Sequence, residues 1–412
     1  MSTTPISIGR RSMLRAVAGL SVFGLTGKGI ANQLQRAGRD EWRQLGGTPA
    51  NTSFLPSGSG PRENPSISWQ APATVEADGV AVLEDRVYYG DHRTLKALTP
   101  TDGTPQWTAT VRDESDTNEN DPYVKYPAIT SDHVVAVVRY GDFAHANYRS
   151  TALIARNRHD GSHRWQVTPA GDEPATPFTP PVVTDQLVLT GGPGISPETG
   201  RGAFAFEPSD GSVRWHRPGP VTPVAVANGR VVLTGPDTVE AVAIETGEQL
   251  WKRSISGLES TPSVAGGSVF VTKSSSTTNR LVALDAETGT PQWRISLPKA
   301  GTRSAGSITA IDTNTIYVQP AAHRADVIAF DRRDGGERWR TTIDQPDGVR
   351  SVPTSGGTRT GDVLYLGGAI IDPVDGSVTE QISFENADES RYLLAVAGGR
   401  SYFGGARLTV VA

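Results

Sequence analysis

One pattern recurs six times along this chain and constrains its fold more than any other feature. Each copy has an alanine, a glycine six residues later and a tryptophan four residues after that glycine. Such regular internal similarity indicates repeated copies of one structural unit. The copies are Ala97/Gly103/Trp107, Ala155/Gly161/Trp165, Ala205/Gly211/Trp215, Ala241/Gly247/Trp251, Ala283/Gly289/Trp293 and Ala329/Gly335/Trp339. A seventh copy, with Ile370 and Gly376, has Glu380 where the tryptophan is expected.

The three repeated positions have different physical roles. An Asp or a Thr precedes the glycine in every copy, which is typical of a tight turn whose glycine adopts positive φ. The alanine leaves room for an aromatic ring, and the tryptophan brings a large apolar surface with one N–H donor. Tryptophans that dock from one unit onto the next predict a ring of units. The contact at Glu380 is expected to be the weakest in that ring.

Two further strand signals lie between successive motifs. A short apolar stretch follows proline, as at 181–183, and a hairpin signal such as Asn228-Gly229 precedes a second apolar run. Each unit is therefore predicted to have four antiparallel strands. The spacing between tryptophans runs from 36 residues (Trp215 to Trp251) to 58 residues (Trp107 to Trp165). This is typical of four-stranded propeller blades.

Incomplete units at the two ends of the sequence set the number of blades. Seven full units are followed by only three strand signals, whereas a lone strand signal with Trp69 precedes the first unit. Placing that strand in the last unit completes an eighth blade. We therefore predict an all-β, eight-bladed β-propeller of four-stranded antiparallel blades at 65–412, closed by the N-terminal strand joining the C-terminal blade. An extended lead-in is expected at 32–64.

The first 31 residues have the features of an export signal. Arg10 and Arg11 precede an apolar stretch from Ala16 to Thr26, and small residues come before a cleavage site after Ala31. The arginine pair predicts export by the twin-arginine route, to an extracellular, periplasmic or cell-surface location. The apolar stretch of about 11 residues is too short for a membrane-spanning helix. The same residues would also suit a basic amphipathic helix or a disordered tail.

Composition narrows the classes of partner. Without residues 1–31 the chain has 35 basic and 44 acidic residues, and this acidic balance argues against nucleic acid as a partner. The absence of cysteine excludes disulfides, thiolate zinc sites and a lipid-modified cysteine. Only six of the 39 basic residues are lysines, which is typical of a GC-rich genome and compatible with a haloarchaeal source.

The repeated motif, Ala-x4-(Asp/Thr)-Gly-x3-Trp, resembles the docking motif of the pyrroloquinoline-quinone (PQQ)-type propeller repeat family. The resemblance covers about residues 41–412, and Glu41-Trp42 with Gly46 and Asn51 is similar to the family's lead-in. The family includes quinoprotein dehydrogenases and cofactor-free scaffolds such as the propeller lipoprotein of bacterial outer-membrane protein assembly. Its dehydrogenases use a vicinal disulfide, a tryptophan floor and calcium-binding carboxylates. The resemblance therefore favours the scaffold branch, although that branch's lipid-modified cysteine is absent as well.

Long loops on one face of the propeller are the candidate partner-binding surface. In this fold the B–C and D–A connections emerge on one face and the A–B and C–D turns on the other. The longer connections fall on the first face, where recognition usually resides. Tyr123, Phe143 and Tyr148 are candidate anchors there for a protein or an envelope polymer. Alternatively, each ring packs beneath its own loop.

Two weaker hypotheses concern metal ions. The acidic segment 111–123, with Asp113 and Asp116, would suit Ca²⁺ by its dense carboxylates, but its spacing differs from that of an EF-hand loop. His92 and His145 lie on predicted neighbouring blades near carboxylates, without a recognised metal-binding spacing. A solvated acidic loop and surface histidines are the alternatives.

These observations predict an exported, monomeric, non-catalytic propeller that binds a protein or an envelope polymer through its loop-rich face. No cofactor is expected, and the mature chain is predicted to lack a transmembrane segment. Two alternatives stay open: a PQQ-dependent dehydrogenase-like enzyme, and a small-ligand sensor that uses the central channel. The sequence has no Gly-x-Ser-x-Gly elbow, phosphate-binding loop or metalloprotease helix.

Overall fold

The computed structural model describes residues 40–56, 58–72, 79–111, 122–142, 147–170, 176–298, 305–320, 326–343, 357–384 and 391–412. Within these ranges the regular secondary structure is a set of 32 β-strands. The described part of the chain contains no helix long and apolar enough to span a membrane. The predicted export signal, with Arg10 and Arg11, lies outside the described residues.

The strands follow one another with short turns, as the hairpin signals predict. In chain order the first seventeen are β1 (Ile67–Pro72), β2 (Val80–Leu83), β3 (Arg86–Asp91), β4 (Thr94–Leu98), β5 (Pro105–Thr110), β6 (Pro122–Ile129), β7 (His133–Asp142), β8 (Asn147–Asn157), β9 (His163–Val167), β10 (Val182–Val183), β11 (Val188–Gly192), β12 (Gly202–Phe206), β13 (Val213–Pro218), β14 (Thr222–Ala227), β15 (Arg230–Gly235), β16 (Thr238–Ala243) and β17 (Gln249–Ser254). The others are β18 (Ser263–Ala265), β19 (Ser268–Ser274), β20 (Asn279–Asp285), β21 (Pro291–Leu297), β22 (Ser307–Ile311), β23 (Thr315–Gln319), β24 (Asp326–Asp331), β25 (Glu337–Thr342), β26 (Gly357–Arg359), β27 (Leu364–Leu366), β28 (Ala369–Ile371), β29 (Val378–Gln381), β30 (Tyr392–Ala397), β31 (Arg400–Gly404) and β32 (Arg407–Val411).

These strands form eight four-stranded antiparallel sheets, which are the blades of a propeller. Blade 1 consists of β2–β5, and each following blade takes the next four strands, up to blade 7 with β26–β29. Blade 8 has the order β1-β32-β31-β30, so that the first strand of the sequence is its outer strand. The predicted fold class is confirmed, including closure of the ring by the N-terminal strand. Strands are called A to D from the channel outward.

The core lies between the blades because each sheet is covered on both faces by its neighbours. Middle strands such as β11 and β12 are buried along their whole length. Outer strands alternate instead: in β5, Trp107 and Ala109 are buried while the residues between and beside them are exposed. The buried residues form eight apolar clusters that follow one another around the ring.

Candidate functional site

Each repeat tryptophan lies against the turn glycine of the next blade. A Cβ atom built on Gly289 of blade 5 would lie 2.6 Å from Cε3 of Trp251 of blade 4, so only glycine admits the ring at this distance. Gly289 also has φ +70°, which favours glycine independently. The seven docked pairs are Trp69–Gly103, Trp107–Gly161, Trp165–Gly211, Trp215–Gly247, Trp251–Gly289, Trp293–Gly335 and Trp339–Gly376.

Polar contacts fix the orientation of the docked rings. Nε1 of six tryptophans donates to a backbone carbonyl of the next blade at 2.8–3.0 Å; the acceptors are Pro100, Arg158, Pro208, Ile244, Ala286 and Pro373. The Asp before the glycine holds the turn itself, as Oδ1 of Asp102 accepts the N–H of Thr104 at 2.9 Å. That hydrogen bond lowers the pKa of Asp102. Six of the seven docks therefore combine apolar contact with a directional hydrogen bond.

The repeat alanines are the cross-strand partners of the tryptophans within the same blade. All six are fully buried, and a β-bulge follows each of them on strand C. Such bulges change the direction of the neighbouring side chains. The pairs are Ala97↔Trp107, Ala155↔Trp165, Ala205↔Trp215, Ala241↔Trp251, Ala283↔Trp293 and Ala329↔Trp339.

The missing tryptophan at Glu380 has a topological cause. Glu380 is the partner of Ile370, in the register that the other blades give to tryptophan and alanine. By analogy with the other blades, a tryptophan there would point toward the place where blade 8 would need a C–D turn to receive it. Strands C and D of blade 8 are β32 and β1, which lie at opposite ends of the sequence, so no C–D turn joins them. Phe384 and Phe403 pack edge to face at this interface instead, 5.2 Å apart.

The lead-in contacts the inner edge of every blade in sequence order. Its carbonyls accept N–H groups from strand A, or from the turn that follows it, in seven blades; the pairs, donor first, are Val82–Trp42, Ile129–Arg43, Val226–Pro49, Val264–Ala50, Ile311–Thr52, Arg359–Ser53 and Gly399–Ser59. In blade 3, the N–H of Val183 donates to Oε1 of Gln44 at 2.7 Å. These bonds satisfy backbone groups that the edge strands would otherwise leave open. We call residues 41–56 and 58–62 the strap.

The strap lies at the A–B turn end of the channel, because its partners stand at the carboxyl ends of the inner strands. Trp42 anchors its first residues: it is 2% exposed, it bonds Val82 in both directions, and its ring lies against Gly47. Farther on, Nδ2 of Asn51 donates to the carbonyl of Pro262 at 3.0 Å. The strap therefore follows the inner edges of the blades on the tight-turn face, opposite to the face that bears the B–C and D–A connections.

The residues present do not fit the quinone chamber that the family resemblance describes. Seven of the eight tryptophans dock between blades, and Trp42 belongs to the strap, which leaves none for a tryptophan floor. The chain has no cysteine for a vicinal disulfide. These residues would therefore not form the chamber in which the family's dehydrogenases bind the quinone.

On the loop-rich face the structure brings two predicted residues together. The rings of His92 in blade 1 and Tyr123 in blade 2 are 5.2 Å apart, and a backbone bridge joins these residues. Both are half-buried, so Tyr123 packs partly against its neighbour and keeps part of its ring exposed. Next to His92, Asp91 accepts a hydrogen bond from Lys96, whose Nζ lies 2.8 Å from Oδ2 of Asp91. Burial alone would lower the pKa of Lys96, but its hydrogen bonds and charge interactions with Asp91 and Tyr89 together outweigh burial and raise the pKa.

The other predicted site residues are not brought together by the described part of the structure. Asp113, Asp116, Phe143 and His145 lie outside the described residues, and Tyr148 is described only by its backbone, which pairs with Gly141. Among the described residues, no group of three or more His, Cys, Asp or Glu side chains is placed to hold a metal ion. The calcium and His/carboxylate hypotheses stay predictions.

A cavity of 480 Å³ that no sequence motif predicts lies on the tight-turn face between blades 2, 3 and 4. Its charged lining residues are Asp132, Asp185, Glu207, Glu245 and Arg214. Arg214 donates to both carboxylate oxygens of Glu207 and, at 2.9 Å, to Glu245. His133 lines the same space, and burial lowers the pKa of its imidazole. The residues that line this cavity come from turns of three different blades, so they form no motif in the sequence.

Fold and docking ring together define a class, the tryptophan-docked eight-bladed propellers. A family model described as outer membrane protein assembly factor BamB matches residues 27–221 and 218–371. The chain belongs to this family.

Individual relatives agree with this assignment. BamB of Yersinia pestis is 26% identical over 282 residues, which cover 62% of this chain and 62% of that protein, so the chain spans less than two thirds of this relative. The solved structure of BamB from Moraxella catarrhalis has a TM-score of 0.58 at 16% identity, covering 84% of this chain and 99% of that one. A quinohemoprotein alcohol dehydrogenase from Comamonas testosteroni has a TM-score of 0.61 at 12% identity, covering 94% and 82%. At these identities the two structures show a shared fold alone.

Proposed function

We propose that this protein is an exported, non-catalytic scaffold that binds a protein of the cell envelope through the loop-rich face of its propeller. The supporting relative is described as an outer membrane protein assembly factor, a name that refers to proteins of the cell envelope. The likeness to a dehydrogenase adds no argument for catalysis, since the residues that would hold the quinone do not fit. The candidate anchors for the partner on this face are Tyr123, Phe143 and Tyr148.

The single observation that carries the choice of face is the position of the strap. It occupies the inner edges of the blades on the tight-turn face, whereas the opposite face carries the longer connections. One of these, residues 193–201 in blade 3, is held in shape by Thr199, whose Oγ1 accepts the N–H groups of Ile195 and Ser196 at 2.9 and 2.8 Å. A loop already fixed in shape loses less entropy when it binds a partner.

Photo-crosslinking in the native envelope tests this choice. A photoreactive amino acid at Glu198, an exposed residue of the 193–201 loop, is expected to give one discrete adduct with an envelope protein. The matched control is Glu248, which is also exposed and lies in the C–D turn of blade 4 on the opposite face. Adducts from Glu248 alone, or the same adducts from both positions, would show that the loop-rich face is not the binding surface.

Export is a separate prediction. Replacing both Arg10 and Arg11 by lysine is expected to leave the protein in the cytoplasm, because the twin-arginine route recognises the guanidinium pair and not charge alone. Fractionation followed by immunoblotting measures the exported share. The Arg15→Lys variant is the control and is expected to be exported normally. Unchanged export of the double variant would rule out this route.

A further inference from the structure

The interface between blades 7 and 8 is the one place in the ring that no repeat tryptophan crosses. The seven docks join blade 8 to blade 1 and every other neighbouring pair up to blades 6 and 7. Because blade 8 has no C–D turn, a tryptophan on strand D of blade 7 would have no glycine to meet. Besides the packing of Phe384 on Phe403, a further contact is needed to take the place of the missing dock between these two blades.

The last residues of the strap lie at this interface. A Cβ atom built on Gly60 would collide with Tyr365 of blade 7 and with Val396 of blade 8, so the Gly60 backbone touches both blades at once. Tyr365 is 1% exposed and belongs to the same apolar cluster as Val396. An aromatic ring against a glycine is the arrangement of the tryptophan docks, with the glycine here supplied by the strap.

Hydrogen bonds tie the strap to each side. Oη of Tyr365 in blade 7 donates to the carbonyl of Pro61 at 3.1 Å, as Nε1 of six of the seven docked tryptophans donates to a carbonyl. The N–H of Gly399 in blade 8 donates to the carbonyl of Ser59 at 3.1 Å. Burial raises the pKa of Tyr365 to about 12, so the phenol keeps the proton that it donates.

Further contacts fix the strap itself. Arg62 forms a two-pronged ion pair with Asp362 in the A–B turn of blade 7, at 2.6 and 2.5 Å. The N–H and the hydroxyl of Ser59 both donate to Oδ2 of Asp40, at 2.9 and 2.6 Å. Residues 59–62 are thus held at both ends and stand between the two blades as an ordered unit.

We propose that residues 59–62 act as the eighth dock, joining blades 7 and 8 where the topology leaves no place for a tryptophan. The lead-in then contributes to the stability of the ring by joining two of its blades. Blades 7 and 8 separate first when these contacts are removed, while the tryptophan docks hold the other blades together.

Hydrogen exchange of the full-length protein tests this proposal, because it reports local opening strand by strand. In Gly60→Val, exchange in β27, β28, β30 and β31 is expected to rise by about tenfold or more, with β15 and β16 unchanged. The matched control is Gly247→Val, at the Trp215 dock, which is expected to loosen blades 3 and 4 and to spare blades 7 and 8. An equal rise in all blades, or unchanged exchange in blades 7 and 8, would overturn the proposal.

Tyr365→Phe provides a milder test should Gly60→Val fail to fold. It removes only the hydroxyl that bonds the Pro61 carbonyl and keeps the buried ring. Exchange in the same four strands is expected to rise about threefold to tenfold, the effect of losing one buried hydrogen bond. Wild-type protection of these strands in Tyr365→Phe would also reject the eighth dock.

Discussion

Replacing Trp251 by alanine is expected to lower the free energy of unfolding by about 3–5 kcal/mol, the usual effect of emptying a large aromatic site. Trp251 is 7% exposed, its ring lies against Gly289, and its Nε1 donates to the carbonyl of Ala286 at 3.0 Å. Alanine would leave a cavity between blades 4 and 5 and remove the donor of that carbonyl. Chemical denaturation followed by circular dichroism measures the change.

Two control variants separate the parts of this effect. Trp251→Phe keeps an aromatic ring and removes the N–H, so a smaller loss of about 1–2 kcal/mol is expected. Glu380→Ala is expected to change stability little, because no dock exists at that position. Should Glu380→Ala destabilise the protein more than Trp251→Ala, docking would not be what stabilises the ring.

Glu380 also shows how sequence and structure complement each other. From the sequence, a missing tryptophan predicts a weak contact, because the repeat is the only guide to how the units meet. The structure shows that the receiving turn is itself missing, since β1 and β32 complete blade 8 from opposite ends of the sequence. The sequence around Trp69 predicts that the N-terminal strand closes the ring. That closure also explains why Glu380 stands where the other repeats have a tryptophan.

The docking ring was predictable because its chemistry is local and repeated. A turn that needs positive φ selects glycine, and a ring that packs on that turn needs a tryptophan at constant spacing. Trp251 and Gly289 thus belong to a pattern that six other pairs repeat around the ring.

The contacts of strap residues 59–62 with blade 7 were not predictable in this way, because each occurs once. Gly60-Pro61 has the composition of an ordinary loop, and Tyr365 is one buried aromatic residue in an apolar stretch. Their contact joins residues that lie about 300 positions apart, and no periodicity marks it. The contact of His92 with Tyr123 and the cavity around Arg214 are likewise made by neighbouring blades in space.

A disulfide that joins the two ends of the ring is expected to stabilise the protein by about 4–5 kcal/mol, the gain expected for closing a very long loop in the unfolded chain. Ser66 and Ala412 exchange two backbone hydrogen bonds, each 3.1 Å long, and both residues are exposed. Such an antiparallel pair has its Cα atoms about 5.5 Å apart, which a disulfide can span. The chain has no cysteine of its own, so the double variant Ser66→Cys/Ala412→Cys can form only this bond within one molecule.

The reduced form of the same double variant is the control, because it differs from the oxidised form only in the S–S bond. Equilibrium unfolding in denaturant, with and without reductant, gives the difference between the two forms. The gain arises because β1 can no longer leave β32 when the ring opens, so unfolding must release a circular chain with less entropy. If the oxidised form were no more stable than the reduced form, pairing of β1 with β32 would not be what closes the ring.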